Sequence, residues 1–245
     1  MSSSVFDGVP GAITGERGIA HFGDPFREQR RLATGTAIAP LDDRTVIEVS
    51  GPERLPWLDS ITSQAVSGLR AGESTELLVL DPQGRVEHAA GVLDDGISTW
   101  LLADAGDAEG LARWLTRMKF RTQATVELRP DLALLGFVDG GSAADRVRGL
   151  DGVRVWVDPW QRISVGGHQY AAVPSHPGAD LAWRIGIVPE TAARALAADP
   201  RPRGRRRGCS PPRPCGSPPG VRAGQPRSTS GRYRTSRTGS AVPCT

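Results

Sequence analysis

The sequence predicts an α+β protein in which helices cover one face of a mostly antiparallel sheet. Predicted elements between residues 46 and 128 follow the order β-α-β-β-β-α-β. The three consecutive strands in that order are joined by short turns, which suit antiparallel neighbours. Strand and helix patterns resume at residue 133, which predicts part of a second unit of similar build.

The first strand and helix of this order follow each other closely. Residues 46–49 (VIEV) favour a strand, which the sequence Ser-Gly-Pro ends. A helix is expected from Arg54, with Pro56 tolerated in its first turn. Its side chains at spacings of three and four share one face: Leu55, Leu58, Ile61, Thr62 and Ala65.

Three strands then form the predicted meander, at 75–80, 85–93 and 97–103. The turn sequences Asp-Pro-Gln-Gly and Asp-Asp-Gly separate them. Alternation along the second strand predicts Arg85 and Glu87 on one face and Val86 and His88 on the other.

A second helix completes the first unit before its last strand at 124–128. Asp107 is expected to cap this helix, which runs to about Lys119. The apolar face consists of Leu111, Trp114, Leu115 and Met118.

The second unit is predicted from a further series of elements. Strands are expected at 133–137 and near 153–157, 161–165 and 169–173, and helices at 142–148 and 190–198. We therefore expect four segments: a flexible N-terminus (1–14), an N-terminal α+β domain (15–130), a partial second α+β unit (131–198) and a disordered tail (199–245).

Charge and cysteine content divide the chain at about residue 199. The tail from residue 200 carries eleven Arg and no Asp or Glu, which leaves nineteen basic against 27 acidic residues in the body. The body therefore has a net charge of −8, and the basic pI reflects the tail alone. All three cysteines, at 209, 215 and 244, also lie in the tail.

These features exclude several classes of function for the body. It has no cysteine to ligate a metal or an iron–sulfur cluster, and histidines at 21, 88, 168 and 176 lack metal-site spacing. No apolar stretch approaches the roughly 20 residues of a membrane span, and no secretory signal is evident. We expect a cytoplasmic monomer with no membrane contact.

Four motifs in combination resemble the YgfZ family of folate-binding proteins, which are relatives of the glycine-cleavage T protein. They are HFGDPFREQR at 21–30, VSGPERLPWL at 49–58, TSQ at 62–64 and LDPQGRVEH at 80–88. The resemblance covers about residues 15–198, and the version of the family in this chain looks actinobacterial. It implies an aminomethyltransferase-like fold, tetrahydrofolate binding, and a role in iron–sulfur cluster assembly or repair and tRNA modification, with iron–sulfur proteins as partners.

The resemblance also suggests residues for a folate site. The glutamate tail of folate needs a cation and its pterin needs paired donors and acceptors. The candidates are Arg27, Arg85 and Arg121 for the tail, Glu87 for the pterin edge, Met118 and Phe120 for the walls of the slot, and His88 as a further folate-binding residue. Ordinary core packing is the alternative for Met118 and Phe120.

The acidic pair of the T protein falls on Glu87 and His88 when it is carried onto this chain. Because histidine cannot supply the fixed charge of the second carboxylate, we expect a folate-binding accessory protein rather than an aminomethyltransferase. Aminomethyl transfer stays as the alternative.

The resemblance implies a C-terminal β-barrel preceded by the signature Lys-Gly-Cys-Tyr-x-Gly-Gln-Glu, and this chain contains no such string. Back-translation of residues 215–223 and 241–245, shifted by one base, spells segments expected just before that signature. We therefore interpret the tail as the product of a frameshift between about Asp199 and Cys215. We expect no nucleic-acid partner, and the alternative is an RNA-interacting protein that uses the basic tail.

Overall fold

The computed structural model describes residues 4–161, 178 and 180–198 of the chain. The strands in these residues are β1 Ile13–Gly15, β2 Gly18–His21, β3 Ala39–Pro40, β4 Arg44–Ser50, β5 Ser74–Leu80, β6 Val86–Asp94, β7 Ser98–Asp104, β8 Thr125–Leu128, β9 Leu132–Val138, β10 Arg154–Val157 and β11 Trp183–Pro189. The helices are α1 Pro25–Ala33, α2 Arg54–Ile61, α3 Ala108–Met118, α4 Ser142–Arg148 and α5 Glu190–Ala198.

Several predicted segments fall outside the described residues. They are the strands expected near 161–165 and 169–173 and the tail at 199–245. Gln161 is the exception, since it ends a short 3-10 turn, Pro159–Gln161.

A five-stranded antiparallel sheet in the order β5-β6-β7-β4-β8 forms the first unit. The meander of β5, β6 and β7 is as predicted. One face of this sheet packs against α2 and α3 through Ile47, Val92, Leu58 and Leu111, which are all fully buried. The predicted α+β class, with helices on one face of an antiparallel sheet, is therefore confirmed.

A second antiparallel sheet has the order β10-β11-β9-β3. Its outer face packs against α4 and α5 through buried apolar side chains, including Phe137, Val147 and Ala193. Phe6, in the segment ahead of β1, is only 3% exposed and belongs to the same cluster. The N-terminal segment therefore contributes to this core.

The inner faces of the two sheets pack against each other. Trp100 and Leu102 of the first sheet contact a cluster that includes Trp183 and Ile185 of the second. A side chain cannot fit at Gly136, because its Cβ would lie 2.4 Å from the ring of Trp183. The described chain is therefore layered as helices, sheet, sheet and helices, which explains why β7 is buried on both faces.

Polar contacts join the edges of the two sheets as well. Trp156 Nε1 donates to the Thr75 carbonyl at 3.0 Å, and Trp160 Nε1 donates to Glu76 Oε2 at 2.7 Å. Burial is the main influence that raises the pKa of Glu76, the Trp160 hydrogen bond opposes it, and the charge of Asp158 adds to it. The surroundings of Glu76 in the folded protein therefore disfavour the charged form of its carboxyl group.

Asp95 experiences the opposite balance at the turn between β6 and β7. Arg154 Nε and Trp100 Nε1 both donate to its Oδ2 at 2.8 Å. Burial favours the neutral acid, but these bonds and those from the Ser98 and Ile97 N–H groups outweigh it. They lower the pKa of Asp95 to about 2.

A buried ion pair connects the start of α2 to the end of β6. Asp94 is fully buried and receives hydrogen bonds from Arg54 Nε at 3.0 Å and Nη2 at 2.9 Å. Thr99 Oγ1 and the Gly96 N–H donate to the same carboxylate at 2.6 and 2.8 Å. The motif at 49–58 and the Asp-Asp-Gly turn are therefore parts of one structural unit.

Candidate functional site

An open groove of about 820 Å³ runs along α3 on the helix-covered side of the five-stranded sheet. His88 of β6 lies at this groove, and Val126 and Leu128 of β8 supply apolar surface. Arg113 and Arg117 of α3 also line it. The groove therefore combines an imidazole, two cations and an apolar strip along one helix.

His88 and Asp107 form the closest polar pair at this site. His88 Nδ1 lies 2.7 Å from Asp107 Oδ1, with the side chains 15% and 34% exposed respectively. The ring of Trp114 packs against the imidazole, with ring centroids 6.5 Å apart and planes inclined at 55°. The imidazole is therefore held at one nitrogen and along one side.

Gly110 leaves room for this imidazole beside the first turn of α3. A Cβ at Gly110 would lie 3.3 Å from His88 Cε1, which is closer than ordinary van der Waals contact. A residue with a side chain would crowd the ring at its present position. The absence of a side chain at Gly110 thus allows the imidazole of His88 to lie close to the helix.

Asp107 stands at the N-cap of α3, as predicted, but its side chain makes no capping hydrogen bond to the helix. Aspartate is favoured at this position because its carboxylate accepts from a free backbone N–H of the first turn. Here the carboxylate binds His88 instead.

A β-bulge changes the expected arrangement on β6. Val79 pairs with His88 whereas Leu80 pairs with Val86, so Glu87 is the extra residue. Directly opposed residues share a face and successive residues alternate. Val86 and His88 therefore lie on opposite faces, and the prediction that they share one was wrong.

Arg85 and Glu87 lie near the tip of the β5–β6 hairpin, and both are exposed. Neither lines the groove. Asp81 orders this tip, because its Oδ1 accepts from the N–H groups of Gln83 and Arg85 at 2.8 Å. The hairpin sequence therefore has a structural explanation, and among its predicted site residues only His88 faces the groove.

Met118, Phe120 and Arg121 lie at the opposite end of α3 from His88. Phe120 is 88% exposed and has a positive φ of 42°, which is uncommon for an aromatic residue. The guanidinium of Arg121 lies 5.5 Å from the centre of the Phe120 ring. None of these three residues belongs to the lining of the groove.

Arg27 lies on α1, where its side chain is exposed. The fully buried residue of that helix, Leu32, packs in the cluster between the two sheets. Helix α3 packs on the other face of the five-stranded sheet. The structure therefore does not bring Arg27 together with His88.

Glu28 has a local role at the start of α1. It is 5% exposed and accepts hydrogen bonds from the N–H groups of Phe22 and Asp24 at 3.0 Å. The N-cap of the same helix is Asp24, which accepts from the Arg27 N–H. Helix capping accounts for much of the polar character of the motif at 21–30.

Sequence reasoning missed two arginines that line the groove, Arg113 and Arg117, and it missed Asp107 as the partner of His88. The two arginines are four residues apart on the polar side of an amphipathic helix, where a solvated face is the ordinary interpretation. Arg113 lies 3.9 Å from Glu109 in an exposed pair. Arg117 has no ion-pair partner among the residues that the structure describes.

Two kinds of feature are absent from the described part of the chain: a clustered metal site and a membrane-spanning helix. No group of three or more His, Cys, Asp or Glu side chains converges there as a metal site would require. None of the helices between residues 4 and 198 that the structure describes is both long and apolar enough to cross a membrane.

Comparison with known proteins relates this fold to the aminomethyltransferases. The chain is 29% identical over 138 residues to an aminomethyltransferase of Stenotrophomonas maltophilia, and 24% identical over 128 residues to one of Chromobacterium violaceum. These alignments cover 53% and 52% of this chain, and in both cases 35% of the relative. The chain thus spans about a third of the length of these curated relatives. No protein-family model matches it.

The solved structure of the glycine cleavage system aminomethyltransferase T from Bartonella henselae matches with a TM-score of 0.56 at 18% identity. The match covers 76% of this chain and 52% of that protein. The chain therefore has an aminomethyltransferase-like fold.

Proposed function

We propose that this chain binds tetrahydrofolate or a related folate in the groove along α3, as a YgfZ-type protein. The observation that carries the proposal is that His88 of β6 and the two arginines of α3, Arg113 and Arg117, line the same groove. The aminomethyltransferase-like fold and the resemblance of the motifs to YgfZ proteins support it.

The chemistry of the groove fits an elongated ligand with one polar ring and one acidic end. His88 lies beside Gly110, and Arg117 follows seven residues later, which is roughly 10 Å along the helix. The pterin would bind near His88, and the carboxylates of the glutamate tail would reach the arginines. Val126 and Leu128 offer apolar surface to the aromatic ring of folate that joins the pterin to the glutamate tail.

Calorimetric titration with 5-formyltetrahydrofolate tests the proposal directly. We expect saturable binding that falls by about tenfold or more in the double variant R113A/R117A, because charge-assisted hydrogen bonds contribute about 1.5–3 kcal/mol each. The matched control is R70A, which removes an arginine from the exposed pair with Glu73.

6-Methyltetrahydropterin, which has the pterin ring and no carboxylate, separates the two ends of the ligand. Its affinity should be unaffected by R113A/R117A if the arginines bind the glutamate tail. Equal affinity of native protein and R113A/R117A for 5-formyltetrahydrofolate would contradict this placement of the ligand. No binding by the native protein would reject the proposed function.

A second candidate is transfer of a one-carbon unit to tetrahydrofolate. The specific observation in its favour is that Asp107 supplies a carboxylate 2.7 Å from His88, the residue that occupies the position of the T protein's second acidic group. An assay for one-carbon transfer from an aminomethylated carrier protein tests it. No product above a protein-free blank would remove this candidate.

We also propose a role in iron–sulfur cluster assembly or repair and in tRNA modification, on the strength of the YgfZ resemblance. Deletion of the gene should lower the content of tRNA modifications that iron–sulfur enzymes introduce, as measured by mass spectrometry of tRNA nucleosides. Restoration by the native chain but not by R113A/R117A would connect this role to the groove.

A further inference from the structure

The carboxylate of Asp107 is diverted from the function that its position predicts. It stands at the N-cap of α3 and caps no backbone N–H, while its Oδ1 lies 2.7 Å from His88 Nδ1. A capping bond from aspartate usually stabilises a helix. The fold therefore gives up a local stabilisation and gains an anchored imidazole at the groove.

The two nitrogens of His88 have different surroundings. Nδ1 faces the Asp107 carboxylate, which only accepts hydrogen bonds when it is ionised. Nε2 has no hydrogen-bond partner among the described residues, and it is not among the buried unpaired atoms found there. With Nδ1 as the donor, Nε2 of the neutral ring is the nitrogen that carries a lone pair.

We infer that Asp107 is a positioning residue that keeps the proton of His88 on Nδ1, so that Nε2 is presented to the groove as a hydrogen-bond acceptor. The ligand that fits this site therefore carries an N–H donor at the end that reaches His88. This step rests on the proposed function, in which that donor is an N–H of the reduced pterin.

Neighbouring side chains leave the acceptor role to Nε2. Trp114 packs on the ring, and Gly110 adjoins Cε1 without a side chain of its own. The charged groups of α3 at the groove are Glu109, Arg113 and Arg117, and none of them pairs with His88 in the described chain. Asp107 is thus the group that decides which nitrogen carries the proton.

Nitrogen-15 NMR of the free protein tests this inference without any ligand. At about pH 9 a typical histidine is neutral, and the shifts of its two ring nitrogens report which one is protonated. The variant H88N identifies the His88 signals among those of the four histidines. We expect native His88 to carry its proton on Nδ1.

The variant D107S separates positioning from helix capping. Serine is as good an N-cap as aspartate, but its shorter side chain ends well before the carboxylate position that contacts His88. We expect D107S to unfold at an unchanged or higher urea concentration. The proton of His88 should shift toward Nε2, and affinity for 5-formyltetrahydrofolate should fall by about tenfold. D107E, which keeps a carboxylate, should recover part of the Nδ1–H form.

The outcomes separate the inference from the proposed function. A native His88 protonated on Nε2, or a tautomer that D107S leaves unchanged, would overturn the inference. If D107S shifts the tautomer while neither protein binds the folate, Asp107 is confirmed as the positioning residue and the proposed function fails.

Discussion

Replacement of Arg54 by leucine should be among the most destabilising single changes in this protein. The substitution removes both guanidinium hydrogen bonds to Asp94 and leaves that carboxylate, which is fully buried, without its counter-charge. Removal of one partner from a buried ion pair typically costs 3–5 kcal/mol, most of it from the stranded charge.

The expected cost for R54L lies at the lower end of that range. Asp94 keeps its hydrogen bonds from Thr99 and the Gly96 N–H, which still stabilise its charge. Arg54 itself remains 12% exposed, so water reaches part of the site. We therefore expect a loss of about 3 kcal/mol, a large share of the 5–15 kcal/mol that is typical of a folded domain.

Urea denaturation followed by tryptophan fluorescence measures this loss. With a urea dependence of about 2 kcal/mol per molar, the midpoint should fall by roughly 1.5 M. The matched control is R70L, which breaks the exposed pair of Arg70 and Glu73, with side chains 85% and 40% exposed; exposed pairs contribute about 0–1 kcal/mol.

The double variant R54L/D94N tests the cause of the loss. Because asparagine removes the stranded charge, it should be more stable than R54L by about 1–2 kcal/mol. A midpoint for R54L within error of R70L would refute the reasoning. So would a double variant less stable than R54L.

Two further predictions concern carboxylates near the junction of the sheets. The folded pKa of Asp95, about 2, lies below the ordinary value of 3.8, so its contribution is present above pH 4 and is lost as the pH falls toward 2. Over this pH range the free energy of unfolding, measured by urea denaturation, should fall by roughly 2 kcal/mol more for the native protein than for D95N. An equal pH dependence of the two proteins would contradict this. Glu76 has a raised pKa, so E76Q, which retains an acceptor for Trp160, should raise the midpoint at pH 7. The gain should vanish in acid, where the native carboxyl is protonated, and a gain of equal size at pH 4 would count against burial as the cause.

Much of the first unit was predictable because its signals are local. The meander of β5, β6 and β7 follows from short alternating segments separated by turns rich in Asp, Pro and Gly. Helix α3 follows from its apolar spacing and its N-cap. Helix α2 begins at Arg54 as expected but ends at Ile61, since Thr62 is already extended, and the predicted face extended to Ala65.

The face-to-face packing of the two sheets was not predictable by the same reasoning. It depends on contacts between distant segments, such as Trp156 with Thr75, which are 81 positions apart. Alternation shows that β7 has a buried face, but it does not show which element covers the other one. The short strand Ala39–Pro40, which joins the second sheet beside β9, has too few residues to form a pattern.

The candidate site shows the same limit at the level of single side chains. Sequence reasoning identified His88 as a site residue and Asp107 as a helix cap, on two elements that the strand at 97–103 separates in the chain. It did not bring them together, because helix and strand periodicities describe one element at a time. The bulge at Glu87 changes which neighbours share the face of His88, and no turn residue announces it.

The position of Asp107 explains why a capping signal can conceal a functional group. Aspartate, serine and asparagine are about equally good N-caps, so the demand for a cap does not by itself select a carboxylate. A side chain that must hold the Nδ1 proton of a neighbouring imidazole does select one, since an ionised carboxylate accepts without donating. Asp107 satisfies the second requirement and leaves the first unmet. An N-cap aspartate that makes no capping bond and contacts a histidine is therefore better explained by the site than by the helix.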